Sequence, residues 1–349
     1  MSNRILLYMQ KKFLVSGFLL LSLALSAQVD TASISAKLLQ HKELGKNVVC
    51  LIYKNGKLLY KKESEDLTAK TQKPVGAFSQ WLTAALVMTF VQEGKISLDD
   101  KVSDYIPLYS KYSKSYITIR NCLTHNTGIE SDFNMAHLFQ KSKFKTLEDE
   151  AVFFASKREI KTNPGTEFNY SNIGYNIAGR ILEVIAKKAF DRLALERILR
   201  PLGMKGSTFA NEDFNEATNP SLGARSTAND IINFMNMLLN KGMFNNRQVL
   251  SEESVKTLLT LQSKPPMKNI PKLVEGYDYA FGSWILEEDS DGKIQAATSP
   301  SLAGTWPIVD FCRGYTLVVF TDQLKNPPGK ELYLDIKSIV DVGIPANCQ

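Results

Sequence analysis

The sequence predicts an α+β fold in which one sheet is assembled from the two ends of the chain, with a mostly helical region inserted between them. Short β-rich runs occur over residues 48–61 and again over 279–321, whereas residues 118–262 form mostly helical segments with short polar connections. The chain has 349 residues, of which 44% are hydrophobic. It is therefore long enough to bury a sizeable core.

The first residues are expected to be a secretory signal and not part of this fold. Basic residues precede an apolar run over residues 13–25, and the small residues Ser26 and Ala27 follow it. The run is shorter than the roughly 20 apolar residues that span a bilayer, and its charged start and small-residue end are typical of a signal peptide. We expect residues 1–27 to be removed, which leaves no stable membrane span and a protein that is periplasmic or secreted. An uncleaved anchor is the alternative.

Composition argues against several classes of partner. The formal net charge is +6, but the Lys and Arg residues are scattered and do not cluster with aromatic residues, so we expect no nucleic-acid partner. The three histidines and four cysteines show no spacing typical of a metal site, and we expect no cofactor.

Export would place the four cysteines in an oxidising compartment where disulfides persist. Four cysteines allow three pairings, and the sequence leaves the choice among them open. Cys50 lies in an apolar strand-like run and Cys122 at a position suited to a buried leucine. Buried free thiols are the favoured interpretation for both.

The secondary-structure elements follow from local patterns. A helix is expected over residues 30–45, and Asn55-Gly56 between two apolar runs predicts a type I′ hairpin over 48–61. Residues 81–92 are apolar on most sides, as in a fully buried helix, and Gly94 ends it. The remaining clear patterns are helices at 172–188, 228–241 and 330–342 and β-rich runs at 279–286, 306–310 and 315–321.

Several blocks along the chain resemble the serine β-lactamase and D-Ala-D-Ala peptidase superfamily, particularly its class C, esterase-like branch. They read WLTAALVMTFVQEGKISLDDKVSDYIP, ITIRNCLTHNTGI, NPGTEFNYSNIGYNIAGRILEVI, PLGMKGSTF and STANDIINFMNMLLNKG, and they cover roughly residues 45–322. The resemblance implies a β-lactamase/transpeptidase-like fold: an antiparallel sheet flanked by helices plus a mostly helical domain. Residues 28–349 would form it, with 28–75 and 263–349 as the α/β part and 76–262 as the helical part.

The same resemblance implies a Ser-x-x-Lys motif at the start of the buried helix, but the chain reads Ala77-Phe78-Ser79-Gln80 there. Ala77 would replace the nucleophile and Gln80 the lysine. Alanine cannot attack a carbonyl, and glutamine cannot exchange a proton near neutral pH. Ser79 is two residues further on, about 200° around a helix, and therefore points away from the face shared by Ala77 and Gln80.

Two further elements of the resemblance concern ligand binding. Tyr170-Ser171-Asn172 matches the family's Tyr-x-Asn, in which tyrosine moves protons and asparagine binds the substrate amide. Tyr170 is thus a residual catalytic candidate and Asn172 a ligand-binding candidate; the alternative is that the segment only caps a helix and packs an interface. A third element, around residues 298–307, resembles a branch with Ser-Pro-Gly and suggests ligand contacts at Ser299, Ser301 and Leu302, with Ser301 where glycine is usual.

Other polar residues in these blocks are better interpreted as structural. His125 would be a structural residue of its loop, because active relatives have histidine there beside the lysine. Asp99 and Asp100 are typical of a turn.

Two functions follow. The first is an exported pseudoenzyme whose cleft binds an acyl, peptidyl or cell-wall ligand. The alternative is an active hydrolase or acyl transferase that uses a non-standard nucleophile or Tyr170 acid–base chemistry.

Overall fold

The computed structural model describes residues 29–41, 44, 46–131, 142–211, 213, 215–261, 266–268, 270–322 and 329–348. The predicted signal segment, residues 1–27, lies outside the described residues. Within them, no helix is long and apolar enough to cross a membrane.

A seven-stranded antiparallel sheet joins the two ends of the chain. Its strands are β1 (Val48–Lys54), β2 (Lys57–Lys62), β9 (Asp278–Tyr279), β10 (Trp284–Glu288), β11 (Ile294–Thr298), β12 (Thr305–Asp310) and β13 (Tyr315–Thr321). Their order across the sheet is β2-β1-β13-β12-β11-β10-β9. The α+β prediction, with a sheet assembled from both ends, is confirmed.

Short two-residue strands pair outside this sheet: β3 (Lys73–Pro74) with β5 (Arg225–Ser226), β4 (Phe168–Asn169) with β8 (Met267–Lys268), and β6 (Met243–Phe244) with β7 (Arg247–Gln248). The β4–β8 pair is parallel. It connects the chain just before Tyr170 to the segment that leads into the sheet.

The helices are α1 (Thr31–Gln40), α2 (Phe78–Val91), α3 (Val102–Tyr105), α4 (Leu108–Lys111), α5 (Ile119–Leu123), α6 (Leu147–Lys157), α7 (Ile173–Ala186), α8 (Phe190–Ala194), α9 (Ala228–Leu239), α10 (Glu252–Leu258) and α11 (Lys330–Gly343). A π-helical turn, Leu195–Leu199, follows α8, and a 3₁₀ turn spans Lys272–Val274.

The sheet separates two cores, because successive residues of a strand point to opposite faces. Val49 and Leu51 of β1 contribute to the larger core, which contains α2. Cys50 and Ile52 contribute to the smaller core, which contains residues of α1 and α11. Every residue of α2 from Phe78 to Phe90 is buried, which confirms the prediction of a fully enclosed helix.

The local predictions hold where backbone chemistry determines the structure. Asn55 and Gly56 have φ of 50° and 73°, as a type I′ turn requires. At the end of α2, Gly94 has φ of 66°, and the backbone amide of Lys95 donates to the carbonyl of Phe90.

The C-terminal strands differ from the prediction in two ways. The run over 279–286 is interrupted, because Gly282 has φ of 81° and its Cα packs against the backbone of Gln80 and Trp81 where a Cβ would not fit. In addition, β11 was not predicted.

The cysteines divide into one pair and two thiols. Cys312 and Cys348 form a disulfide, a pairing that the sequence left open. Cys50 and Cys122 are buried free thiols, as expected, and burial raises the pKa of Cys50 to about 12.

Candidate functional site

The site begins where α2 emerges from a tight turn. Gly76 has φ of 52°. Ala77 follows it and directly precedes the helix, and its own backbone dihedrals are already helical. Gln80 lies three residues further along the same helix face and is 2% exposed, while Ala77 is 8% exposed. The two residues are therefore neighbours, and neither supplies a charge or a nucleophile.

The side-chain amide of Gln80 is the centre of a buried hydrogen-bond network. Its Nε2 donates to Ser221 Oγ (3.0 Å), and its Oε1 accepts from the hydroxyl of Tyr279 (3.0 Å). His125 Nε2 lies 3.2 Å from the same Oε1 and 3.1 Å from the Tyr279 hydroxyl. The Tyr170 phenol also hydrogen-bonds with Gln80.

His125 is held as a neutral imidazole. Its Nδ1 accepts from the backbone amide of Ser171 (3.3 Å), which places the ring proton on Nε2 as a donor toward Gln80 and Tyr279. Burial lowers the pKa of His125 to about 3, although the Ser171 contact opposes that shift. The residue is thus a structural donor, and its proton is already shared within the network.

Tyr170 packs inside an aromatic cluster with only 2% of its surface exposed. Its ring lies 4.5 Å from that of His125 and 6.0 Å from that of Trp284, centroid to centroid. Burial raises its pKa further above its usual range, and the Gln80 hydrogen bond only partly offsets this. Tyr170 is therefore a neutral phenol near pH 7.

Ser221 links the network to a buried carboxyl group. Its backbone amide donates to Asn176 Oδ1 (3.1 Å), and Asn176 Nδ2 donates to Glu150 Oε2 (2.9 Å). Burial raises the pKa of Glu150 to about 7, against the opposing effect of the Asn176 bond. Gln80 is thus connected to the carboxyl group of Glu150 through three successive hydrogen bonds.

Asn172 has a different environment from its neighbour Tyr170. It is the residue before α7, but its side chain does not cap that helix, and it is only partly buried. The capping explanation of the Tyr170-Ser171-Asn172 segment is therefore wrong for Asn172, whereas the packing explanation fits Tyr170.

The segment after β11 lies against the start of α2. Ser301 Oγ accepts from the backbone amides of Ala77 (3.2 Å) and Ala303 (3.1 Å). Ser299 Oγ lies 3.5 Å from the carbonyl oxygen of Ala77 and is 1% exposed, and Leu302 is partly buried against the smaller core. The structure thus places Ser299 and Ser301 against Ala77. Besides the amide of Ala77, the second backbone amide that donates to Ser301 Oγ is that of Ala303.

The remaining polar candidates have structural partners. Ser79 is fully buried, and its Oγ accepts from the backbone amide of Ala224 (3.0 Å), so it points away from Ala77. Asp99 pairs with Arg120 through two hydrogen bonds of 2.7 and 2.9 Å. Asp100 accepts from the Ser97 amide and the Tyr105 hydroxyl, as expected of turn residues.

Sequence reasoning missed Tyr279, Tyr175 and Ser221. The hydroxyl groups of Tyr175 and Tyr279 lie 2.9 Å apart, and Tyr175 donates to the carbonyl of Leu123 (2.8 Å). Ser221 and Tyr279 lie outside the family-like blocks, and Tyr175 lies in the block that contains Tyr170 but is not part of its Tyr-x-Asn element. No group of three His, Cys, Asp or Glu side chains that could hold a metal occurs within the described part of the chain.

The beta-lactamase family profile matches residues 41–340. The chain belongs to the beta-lactamase family. Beta-lactamase-like protein 4 of Dictyostelium discoideum is 24% identical over 337 residues, covering 83% of this chain and 56% of that protein. Protein flp of Staphylococcus aureus strain MW2 is 29% identical over 175 residues, covering 47% of this chain and 35% of that protein.

Among solved structures, a proposed beta-lactamase from Bacteroides dorei DSM 17855 superposes with a TM-score of 0.79 at 25% identity, over 90% of this chain and 100% of that one. The beta-lactamase/transpeptidase fold expected from the sequence is confirmed. The chain matches between about a third and just over half of the length of the curated relatives named above.

Proposed function

We propose that this beta-lactamase-related protein does not act as a serine hydrolase and instead binds an acyl, peptidyl or cell-wall ligand non-covalently in the family's cleft. One observation carries the proposal: Ala77 and Gln80 stand at the start of the buried helix, where relatives would carry Ser and Lys. Loss of the nucleophile together with its lysine removes both the attacking atom and the group that manages its proton.

The Gln80 network supports this interpretation. Acyl transfer through serine requires a neighbouring base to accept the hydroxyl proton. Here the imidazole proton of His125 is directed into the network, and burial raises the pKa of Tyr170. Each polar atom of Gln80 is occupied by a neutral partner. The arrangement favours a rigid neutral wall over an acid–base relay.

Asn172 supports retention of ligand binding. Its partly exposed amide does not cap α7, so it remains available to hydrogen-bond a ligand amide. The disulfide between Cys312 and Cys348 supports export to the periplasm or beyond, because disulfides persist in oxidising compartments.

The catalytic part is tested with a chromogenic cephalosporin and short-chain aryl esters. We expect the wild type to show no turnover above the uncatalysed rate, and the Ala77→Ser/Gln80→Lys variant to gain turnover. Ser79→Ala, introduced into both backgrounds, is the matched control and should change neither rate. Wild-type turnover that falls in Tyr170→Phe would instead establish the alternative, an active hydrolase or acyl transferase.

The binding part is tested by thermal shift and calorimetry with N-acetyl-D-alanyl-D-alanine, muropeptides and acylated amino acids. At least one probe should bind the wild type, and Asn172→Ala should weaken its binding about tenfold, as expected for one lost hydrogen bond in a pocket. Failure of every probe to bind the wild type would contradict the proposal.

A further inference from the structure

Two backbone amides converge on one oxygen atom at the start of α2. The amide of Ala77 and the amide of Ala303 both donate to Ser301 Oγ, at 3.2 and 3.1 Å. The three residues are 8%, 3% and 6% exposed, respectively. Two buried donors from different segments therefore share a single acceptor, which the protein itself supplies.

A pair of fixed amides pointing at one position is a general way to bind a partly negative oxygen, such as that of a carbonyl or carboxylate group. At such a position the donors need no rearrangement when the ligand arrives. In this protein the acceptor is a serine hydroxyl, which forms weaker hydrogen bonds than a charged oxygen. A ligand oxygen could therefore compete with it.

The backbone around the hydroxyl is shaped to admit it. Gly76 precedes Ala77 with φ of 52°, and a Cβ at Gly76 would lie 2.2 Å from Ser301 Oγ. Only glycine leaves room for the hydroxyl at this approach. Ser301 is also held by its main chain, because its amide donates to the carbonyl of Thr305 (2.8 Å) and its carbonyl accepts from Gly304 (3.0 Å). The position of the Ser301 backbone thus does not depend on the hydrogen bonds of its hydroxyl group.

We propose that the Ser301 hydroxyl is a built-in plug of an oxygen-binding position formed by the amides of Ala77 and Ala303, and that a ligand carbonyl or carboxylate oxygen must displace it. This inference rests on the proposed function, because it concerns the same site. It adds how access is controlled: the free protein satisfies its own donors, and only ligands whose oxygen is a better acceptor than a hydroxyl enter.

The test is a titration of full-length protein carrying ¹⁵N-labelled alanine with N-acetyl-D-alanyl-D-alanine and with sodium acetate. The wild type is compared with Ser301→Ala and Ser301→Gly, so that a folding defect in one variant does not decide the outcome. Both variants should bind with a dissociation constant about tenfold lower than the wild type, because the competing hydroxyl is gone. The amide signals of Ala77 and Ala303 should report the binding. Ser283→Ala, another buried serine, is the control and should behave as the wild type.

The outcomes separate the two proposals. Binding that shifts other signals, with equal affinity in the wild type and the Ser301 variants, would overturn the plug and leave the proposed ligand-binding function standing. Binding at Ala77 and Ala303 in the variants alone would support the plug and count against ligand binding by the wild type. Fixed Ala77 and Ala303 signals in every variant would overturn the plug.

Discussion

The buried lysine of α11 and the buried glutamine of α2 lie in opposite electrostatic surroundings. Lys337 is 2% exposed, and its Nζ contacts Asp341 (2.7 Å), Glu287 (2.7 Å) and Asp310 (3.0 Å). Burial alone would lower its pKa, but the hydrogen bonds and charges of these carboxylates outweigh that effect and raise it. This part of the fold holds a cation because it provides anions.

Gln80 is equally buried, but its hydrogen-bond partners are a serine, tyrosines and a neutral imidazole. A neutral amide satisfies these groups without any ionised partner. The difference between the two regions indicates that the surroundings of Gln80 are matched to a neutral side chain. The site therefore accommodates an uncharged side chain at position 80 and provides no carboxylate partner for a cation there.

Removing the charge of Lys337 should lower the free energy of unfolding more than any other substitution considered below. Lys337→Met keeps the volume but leaves Asp310, which is fully buried, without its lysine, and should lower the free energy of unfolding by about 3–5 kcal/mol. Urea unfolding measures the loss. Lys37→Met, which removes a solvent-exposed pair with Asp335, is the control and should cost less than about 1 kcal/mol. A similar cost for both would show that the buried cluster contributes no more than a surface pair.

Placing a cation in the neutral region should be the next largest effect. Gln80→Lys buries a charge without a carboxylate partner and places an ammonium donor against the N–H donor of His125. It should therefore lower the free energy of unfolding by about 3 kcal/mol at pH 7. The depressed pKa of the new lysine means that the unfolded state binds more protons, so the cost should shrink as pH rises toward 10. Gln80→Met, which adds no charge, should cost the same at both pH values. A pH-independent cost for Gln80→Lys would contradict this explanation.

The carboxyl group of Glu150, which is connected to the Gln80 network, should make the stability of the protein depend on pH. Because the folded pKa of Glu150 is raised to about 7, its contribution to stability is complete below about pH 4.5 and is lost as pH rises through 7. Glu150→Gln should therefore stabilise the protein by about 1–3 kcal/mol at pH 8 and have little effect near pH 4. Chemical unfolding at the two pH values measures this. Glu148→Gln, on the exposed side of α6, should show no such difference.

The smallest effect should be at Asn172. Because its side chain does not cap α7, Asn172→Ala should change stability by less than about 0.5 kcal/mol. Thr146→Ala, which removes a side chain that accepts from the Asp149 amide, should cost about 1 kcal/mol. Equal losses in the thermal unfolding of the two variants would restore the capping explanation for Asn172.

The sequence predicted those parts of the fold that local chemistry determines. The Asn55-Gly56 hairpin and the buried helix α2 follow from turn preference and from continuous apolar character. In contrast, β11 carries two alanines, a glutamine and a threonine after Ile294, so its pattern does not favour a strand. Its structure depends on pairing with β10 and β12.

The site was predictable only in part, for a similar reason. Ala77, Gln80 and Tyr170 were found because they lie in recognisable blocks. Tyr279 and Ser221 reach Gln80 across 199 and 141 residues of sequence, so only the assembled fold brings them together. The proposed plug also depends on such a contact, because Ser301 and Ala77, whose amide its hydroxyl contacts, are 224 residues apart in the sequence.

Labelling by a serine-directed fluorophosphonate tests the central claim most directly, that this site has no activated nucleophile. Intact-mass and peptide mass spectrometry should find no labelled serine in the wild type, and stoichiometric labelling at position 77 in the Ala77→Ser/Gln80→Lys variant. Stoichiometric labelling of any wild-type serine, whether Ser79, Ser221 or Ser301, would contradict the account.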